Sequence, residues 1–68
     1  MNLTTVPKTP VDVLKTALAK EQEAYDFYDQ MIPHCKIEMV VGLLETLRNE
    51  ERRHLRLVQE MLARVAIP

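Results

Sequence analysis

Glu51 and His54 interrupt an apolar run that would otherwise be unbroken. Walked in steps of three and four, the stretch gives Val40, Leu43 or Leu44, Leu47, then Val58, Met61 or Leu62, and Val65. The gap between Leu47 and Val58 is filled at the same steps by Glu51 and His54. A carboxylate and an imidazole on a face meant to be covered cost several kcal/mol when unpaired. For Glu-x-x-His on a helix, the partner that best offsets that cost is a metal ion. A second carboxylate, Glu21, interrupts an earlier stripe: Val11, Leu14, Ala17 and Leu18, then Ala24 and Tyr25, Tyr28, Met31 and Ile32.

Both stripes have the spacing of α-helices. Thr9-Pro10-Val11-Asp12 reads as a helix start, with Thr9 as cap, Pro10 in the first helical position and Asp12 in the first turn. The first helix is expected over about residues 10–32, with Lys15, Lys20, Gln22, Glu23, Asp26 and Asp29 on its wet face. Pro33 stops it, because the residue before a proline is pushed out of the helical region. Pro33-His34-Cys35-Lys36 is a short connection, and a short connection makes antiparallel neighbours. The second helix is expected over about residues 36–66, with a weak start signal and with Gly42 inside it. A glycine there costs about 1 kcal/mol, and a close helix crossing would account for it. Residues 1–8 are read as a loose arm and 9–68 as one helical hairpin, an all-α fold.

The two interruptions meet in height. Glu21 and Glu51 share a midpoint at Lys36, at the end of the connection. At about 1.5 Å per residue, a turn centred slightly earlier displaces them by only a few ångströms. Glu21, Glu51 and His54 are therefore predicted at one level, facing one another.

Composition sets the scale. A chain of 68 residues with 4 Pro, 1 Gly and no Trp builds one small core from Leu, Val, Ile, Met and Ala. Chains this short bury little alone and often need a metal, a disulfide or a partner. One cysteine excludes an internal disulfide, and a net charge of −1 gives no reason to expect nucleic acid or an anionic membrane. Leu3 to Val6 is too short for a signal h-region, so the expected compartment is the cytoplasm. A lone hairpin would expose the stripe containing Leu14, Leu18, Leu47 and Val58, a patch too apolar for a monomer.

Three ligands per hairpin do not close a site for a metal pair, but two hairpins supply four carboxylates and two imidazoles. That is the ligand set of di-iron carboxylate bundles. Two divalent ions balance four carboxylates, neutral imidazoles adding no charge; iron, manganese and zinc all suit these ligands. The alternative is that Glu51 and His54 pair with arginines or with each other on a differently rotated stripe.

Other residues carry weaker signals. Tyr28, seven after Glu21, is placed to hydrogen-bond a site carboxylate or simply to fill the core, and Tyr25 is similar. Glu50 pairs with His54, shapes an entry path or is plain surface. Glu23 reads as surface or as an outer metal site, and His34-Cys35 as loop or a soft-metal pair. Arg48, Arg52, Arg53, Arg56 and Arg64 are read as the outer face of the second helix, where they solvate it or steer assembly against the acidic first helix.

Glu21-Gln22-Glu23-Ala24-Tyr25-Asp26-Phe27-Tyr28 followed by Glu51-Arg52-Arg53-His54 resembles the ferritin-like superfamily. Glu21, Ala24 and Tyr28 match the rubrerythrin-type spacing, and the half-length form resembles the encapsulated ferritins. The resemblance implies a two-helix subunit that dimerises into a ferritin-like four-helix bundle holding two iron ions per dimer, with Glu21, Glu51 and His54 as ligands and catalytic residues. It implies ferroxidase activity, oxidation of ferrous iron by dioxygen, for storage or detoxification. It further implies a homodimer or a multiple of dimers, and a shell protein as partner. Two departures stand out: no pair of Cys-x-x-Cys motifs is present, and no targeting tail is visible at Ala66-Ile67-Pro68, so that either the chain is not shell cargo or its tail is missing from this sequence. A non-catalytic dimerisation module and a metal-binding protein without turnover are the competing expectations.

Overall fold

A computed structural model describes residues 9–66. The expected loose arm, residues 1–8, and the last two positions lie outside the described residues. Among those described there are two α-helices and one short turn of 3₁₀ helix, with no strand. Helix α1 spans Pro10–Met31 and helix α2 spans Glu38–Val65.

Helix α1 starts as its sequence dictates. The Thr9 hydroxyl accepts the Asp12 backbone N–H at 3.1 Å, Thr9 is extended, and Pro10 is the first helical residue. The end differs slightly from expectation. The α-helix closes at Met31, and Ile32–His34 form a 3₁₀ turn in which the Cys35 N–H donates to the Ile32 carbonyl at 3.2 Å. Lys36 and Ile37 do not join α2. Ile37 is an extended cap that offers no side-chain hydrogen bond, so the missing capping residue shifts the helix start to Glu38. At the far end α2 closes at Val65, where the Ala66 N–H donates to the Leu62 carbonyl.

The two helices pack as an antiparallel hairpin, which is a slab 12 Å thick in its smallest dimension. A single layer of helices has no interior, and no described residue is fully buried. Helix α1 turns Val11, Leu14, Leu18, Glu21, Tyr25 and Tyr28 toward α2, all half-buried. Helix α2 answers with Val41, Leu44, Leu47, Glu51, Leu55, Val58 and Leu62. Leu44 and Leu62 thus take the inward positions, while Leu43, Met61, Val40 and Val65 stay exposed. The expectation that a lone hairpin exposes Leu14, Leu18, Leu47 and Val58 is corrected: each is half-buried between the helices.

Two further expectations fail for identifiable reasons. Arg48 and Arg52 do not belong to an outer face, because their long stems lie across the helix pair and carry the guanidinium groups to α1. Arg48 meets the Asp29 carboxylate at 3.1 Å, and Arg52 donates to the Tyr25 hydroxyl at 3.0 Å, its guanidinium 5.6 Å from the Tyr25 ring centroid. Gly42 marks no close crossing within the hairpin: a methyl group built there meets nothing within 4 Å.

Candidate metal centre

Helix α1 presents Glu21 one turn beyond Leu18, and helix α2 presents Glu51 and His54 from adjacent turns of one face. The short connection fixes their relative height. His54 Nδ1 lies 3.0 Å from Glu21 Oε2, a distance at which a ring N–H donates to the carboxylate. The same nitrogen is 3.7 Å from Glu51 Oε2, beyond hydrogen-bond range. One ligand atom from each of the three residues lies within 4.8 Å of the other two. Among the described residues this is the only cluster of three metal-binding side chains. The three residues singled out in the sequence are thus brought together across 33 positions.

Burial is graded. The Glu51 side chain is 17% exposed, Glu21 29% and His54 49%. His54 is therefore not on a covered face as the stripe implied; it stands at the rim of the helix contact with one side open. Glu51 is different, because its Oε2 is shut off from solvent and has no hydrogen-bond partner. An unsatisfied buried oxygen costs about 1–3 kcal/mol, and this one faces the other two ligands.

The electrostatics follow from that crowding. The close approach of the two carboxyl groups is the largest influence on both. It holds Glu21 below the ordinary carboxylate value, with further help from His54 against partial desolvation. The same closeness pushes Glu51 up, reinforced by burial and by the negative charge of Glu21. Glu21 is thus the more acidic of the pair and Glu51 the less acidic.

The donor set fits a divalent cation: two carboxylates and an imidazole converge, and one buried oxygen lacks any other partner. The site is open on the side where His54 is exposed. Glu50 and Glu23 lie outside the cluster and are exposed. Tyr25 uses its hydroxyl for Arg52, and the Tyr28 ring meets Phe27 edge-on at 5.5 Å between centroids. Among the described residues no hydrogen bond joins either tyrosine to a site carboxylate. His34 is exposed, and the Cys35 thiol lies 3.9 Å from the Ile37 carbonyl; the two do not form a cluster with a third ligand.

The residues that sequence reasoning misplaced are Arg48 and Arg52. Arg48 is the neighbour that closes the end of the pair near Asp29, and its Nε is buried without a partner. Its spacing offered a signal, since Arg48 lies one turn before Glu51 on the inward face.

No protein-family model, no curated protein and no solved structure matches this chain.

Proposed function

We propose that the chain is a ferritin-like metal protein that oxidises ferrous iron with dioxygen, for storage or detoxification, at a site completed by two hairpins. The observation that carries this reading is the convergence of Glu21, Glu51 and His54 on a buried Glu51 oxygen that nothing in the hairpin satisfies.

In this reading each hairpin is half of a four-helix bundle. Two copies bring four carboxylates and two imidazoles to one level, enough for two ferrous ions per dimer, with manganese and zinc as competitors. Two ferrous ions give one electron each, so that dioxygen takes up two electrons and two protons and leaves as hydrogen peroxide. Glu21, the more acidic of the two carboxyls, supplies the first attraction for a cation. Glu51 turns its orphaned oxygen into a ligand, and a cation binding there displaces any proton it carries. The exposed edge of His54 gives ions a way in. Leu18, Leu47 and Leu55 flank the cluster on both helices and limit water around it.

A second reading has its own observation. His54 and Glu21 already make a 3.0 Å contact without any ion, as expected of a polar latch in a non-catalytic dimerisation module. A metal carrier without turnover is intermediate between the two. Metal analysis of protein expressed with iron separates the latch from the others. Stopped-flow mixing of anaerobically iron-loaded protein with oxygen separates the carrier: ferric absorbance should develop faster than for free iron in the same buffer. Glu21→Ala and His54→Ala should each remove most of that acceleration, because one substitution removes two ligands from a symmetric site. Two ions bound per dimer with no acceleration would leave the carrier.

A further inference from the structure

Among the described residues two buried side-chain atoms lack a hydrogen-bond partner, Glu51 Oε2 and Arg48 Nε. A carboxylate oxygen accepts and a guanidinium N–H donates, so the two are complementary. They also belong to residues three apart on α2. Side chains at that spacing are neighbours, with about 5–6 Å between Cβ atoms. A helical side chain leans back over the turn before its own Cα, which carries the Glu51 carboxyl toward Arg48. A guanidinium so placed can grip a carboxylate with two parallel N–H groups. Yet the ion pair of Arg48 among the described residues is with Asp29, not with Glu51.

The reason lies on α1. The Arg48 fork is drawn across the hairpin to Asp29 Oδ1 at 3.1 Å. Asp29 stands eight residues beyond Glu21 toward the connection, about 12 Å of helix rise. Arg48 stands three residues from Glu51 in the same direction, about 4.5 Å. The fork is therefore pulled away from the level of Glu21, Glu51 and His54, and the Nε behind it is left buried and unpaired. The other nearby cations are placed elsewhere too. Arg52 follows Glu51 directly, a spacing at which helical side chains do not face each other, and it donates to the Tyr25 hydroxyl at 3.0 Å. Arg53, two positions on, is exposed.

We infer that Asp29 is a positioning residue: by holding the Arg48 guanidinium it keeps that group off Glu51 and leaves the Glu51 oxygen free to ligate. The inference rests on the metal reading above and adds to it a residue outside the ligand cluster. A guanidinium and a metal ion compete for the same lone pairs. A site whose Glu51 is taken by Arg48 binds metal only in the fraction of molecules where that pair is open. Asp29 removes the competitor without touching the site.

The test is a pair of double-substitution cycles in urea unfolding, run in EDTA at one protein concentration. Arg48→Met keeps an apolar stem and removes the donors, and Glu51→Gln removes the charge. With Asp29 in place the two substitutions should act independently, within about 2-fold in the unfolding equilibrium constant. In an Asp29→Ala background the freed fork closes on Glu51, and the two should be coupled by at least ~5-fold. Asp29 is exposed, so its truncation leaves the helix contact intact. Asp26→Ala removes another exposed acid of α1, one bonded to Gln22, and should produce no coupling.

Zinc titration of the same proteins reads the consequence. Asp29→Ala should weaken zinc binding about 5-fold, the penalty set by a pair of that strength. Adding Arg48→Met should restore the wild-type affinity to within about 2-fold, a rescue that loss of a structural contact would not give. Coupling of equal size with and without Asp29, or none in either, overturns the inference. So does zinc affinity that Asp29→Ala leaves unchanged, or that Arg48→Met fails to restore, in protein that binds zinc. The metal reading is judged separately: coupling that appears only with Asp29→Ala, in a wild type that binds no zinc, leaves the restraint on Arg48 standing and sinks the metal site.

Discussion

Replacing Glu51 by Leu should make the metal-free protein more stable and the metal-treated protein less stable than wild type. Glu51 is 17% exposed, and its Oε2 is buried without a partner. Leaving such a group unsatisfied costs about 1–3 kcal/mol. Leucine has similar bulk, sits beside Leu47, Leu55 and Val58, and needs no hydrogen bond. The substitution forfeits little attraction to His54, whose Nδ1 is 3.7 Å from Glu51 and has Glu21 at 3.0 Å. For a domain of this size, 1 kcal/mol moves the melting temperature by about 4–8 °C, so a rise of at least ~4 °C is expected in EDTA. With zinc or manganese at about 100 times its Kd, wild type gains roughly 2.7 kcal/mol. The variant lacks one ligand in each chain and gains little, so the order of the two melting curves inverts. Circular dichroism melts at one fixed protein concentration, with and without metal, read both halves. A Glu51→Leu protein that melts below wild type in EDTA would show that the carboxylate makes a favourable contact without an ion. That result would refute the orphaned-oxygen argument and favour the polar latch.

Three further outcomes are expected. Glu51→Gln should stabilise the metal-free protein more at pH 7 than at pH 4, as urea unfolding in EDTA will show; a raised folded-state pKa favours the fold below the ordinary value of 4.5, and that advantage is lost as pH rises through the folded value, whereas Gln has no such loss. Glu51→Ala should abolish the metal-induced rise in melting temperature while Glu60→Ala, an exposed position, keeps it; equal shifts in both would place the ion elsewhere. Gly42→Ala should stabilise by about 1 kcal/mol, because the added methyl meets open space inside a helix and the chain loses the flexibility of glycine; destabilisation in a denaturant series would reveal a neighbour over that position.

Much of the hairpin was legible because local rules and tertiary packing agree. Thr9, Pro10 and Asp12 announced the start of α1, Pro33 its end, and the α1 stripe is the face that meets α2, residue for residue. The shared midpoint of Glu21 and Glu51 foretold that they would meet, since helix rise is constant and the connection is short. The α2 stripe was read a little off. The walk through Val40, Leu47, His54 and Val65 runs between the face that meets α1 and the exposed row of Leu43, Leu57 and Met61. Periodicity finds the mean direction of all apolar residues on a helix, and on α2 that mean averages two faces. It therefore could not say that Leu44 and Leu62 turn inward and Leu43 and Met61 do not, nor that His54 stands at the rim. Arg48 and Arg52 were misread for another reason. Charge argues for water, but a long stem with a terminal fork reaches across a thin slab to Asp29 and Tyr25. The start of α2 was placed too early because nothing in Lys36-Ile37 forbids a helix; what fails is the cap, a subtler signal than a proline.

The slab is a single helix layer thick, and this fixes what its amide protons can report. With solvent on both broad faces, helix hydrogen bonds open by fraying, and exchange with deuterium should run inward from Pro10, Met31, Glu38 and Val65 in a smooth gradient. Anything laid over one of those faces changes the law as well as the rate. The amides around Leu47 and Leu57 would then exchange only when the cover lifts, all together and at one rate. The isotope uptake of that central stretch is therefore a clock for the residence time of whatever occupies the face, readable by mass spectrometry without a label, a metal or a mutation.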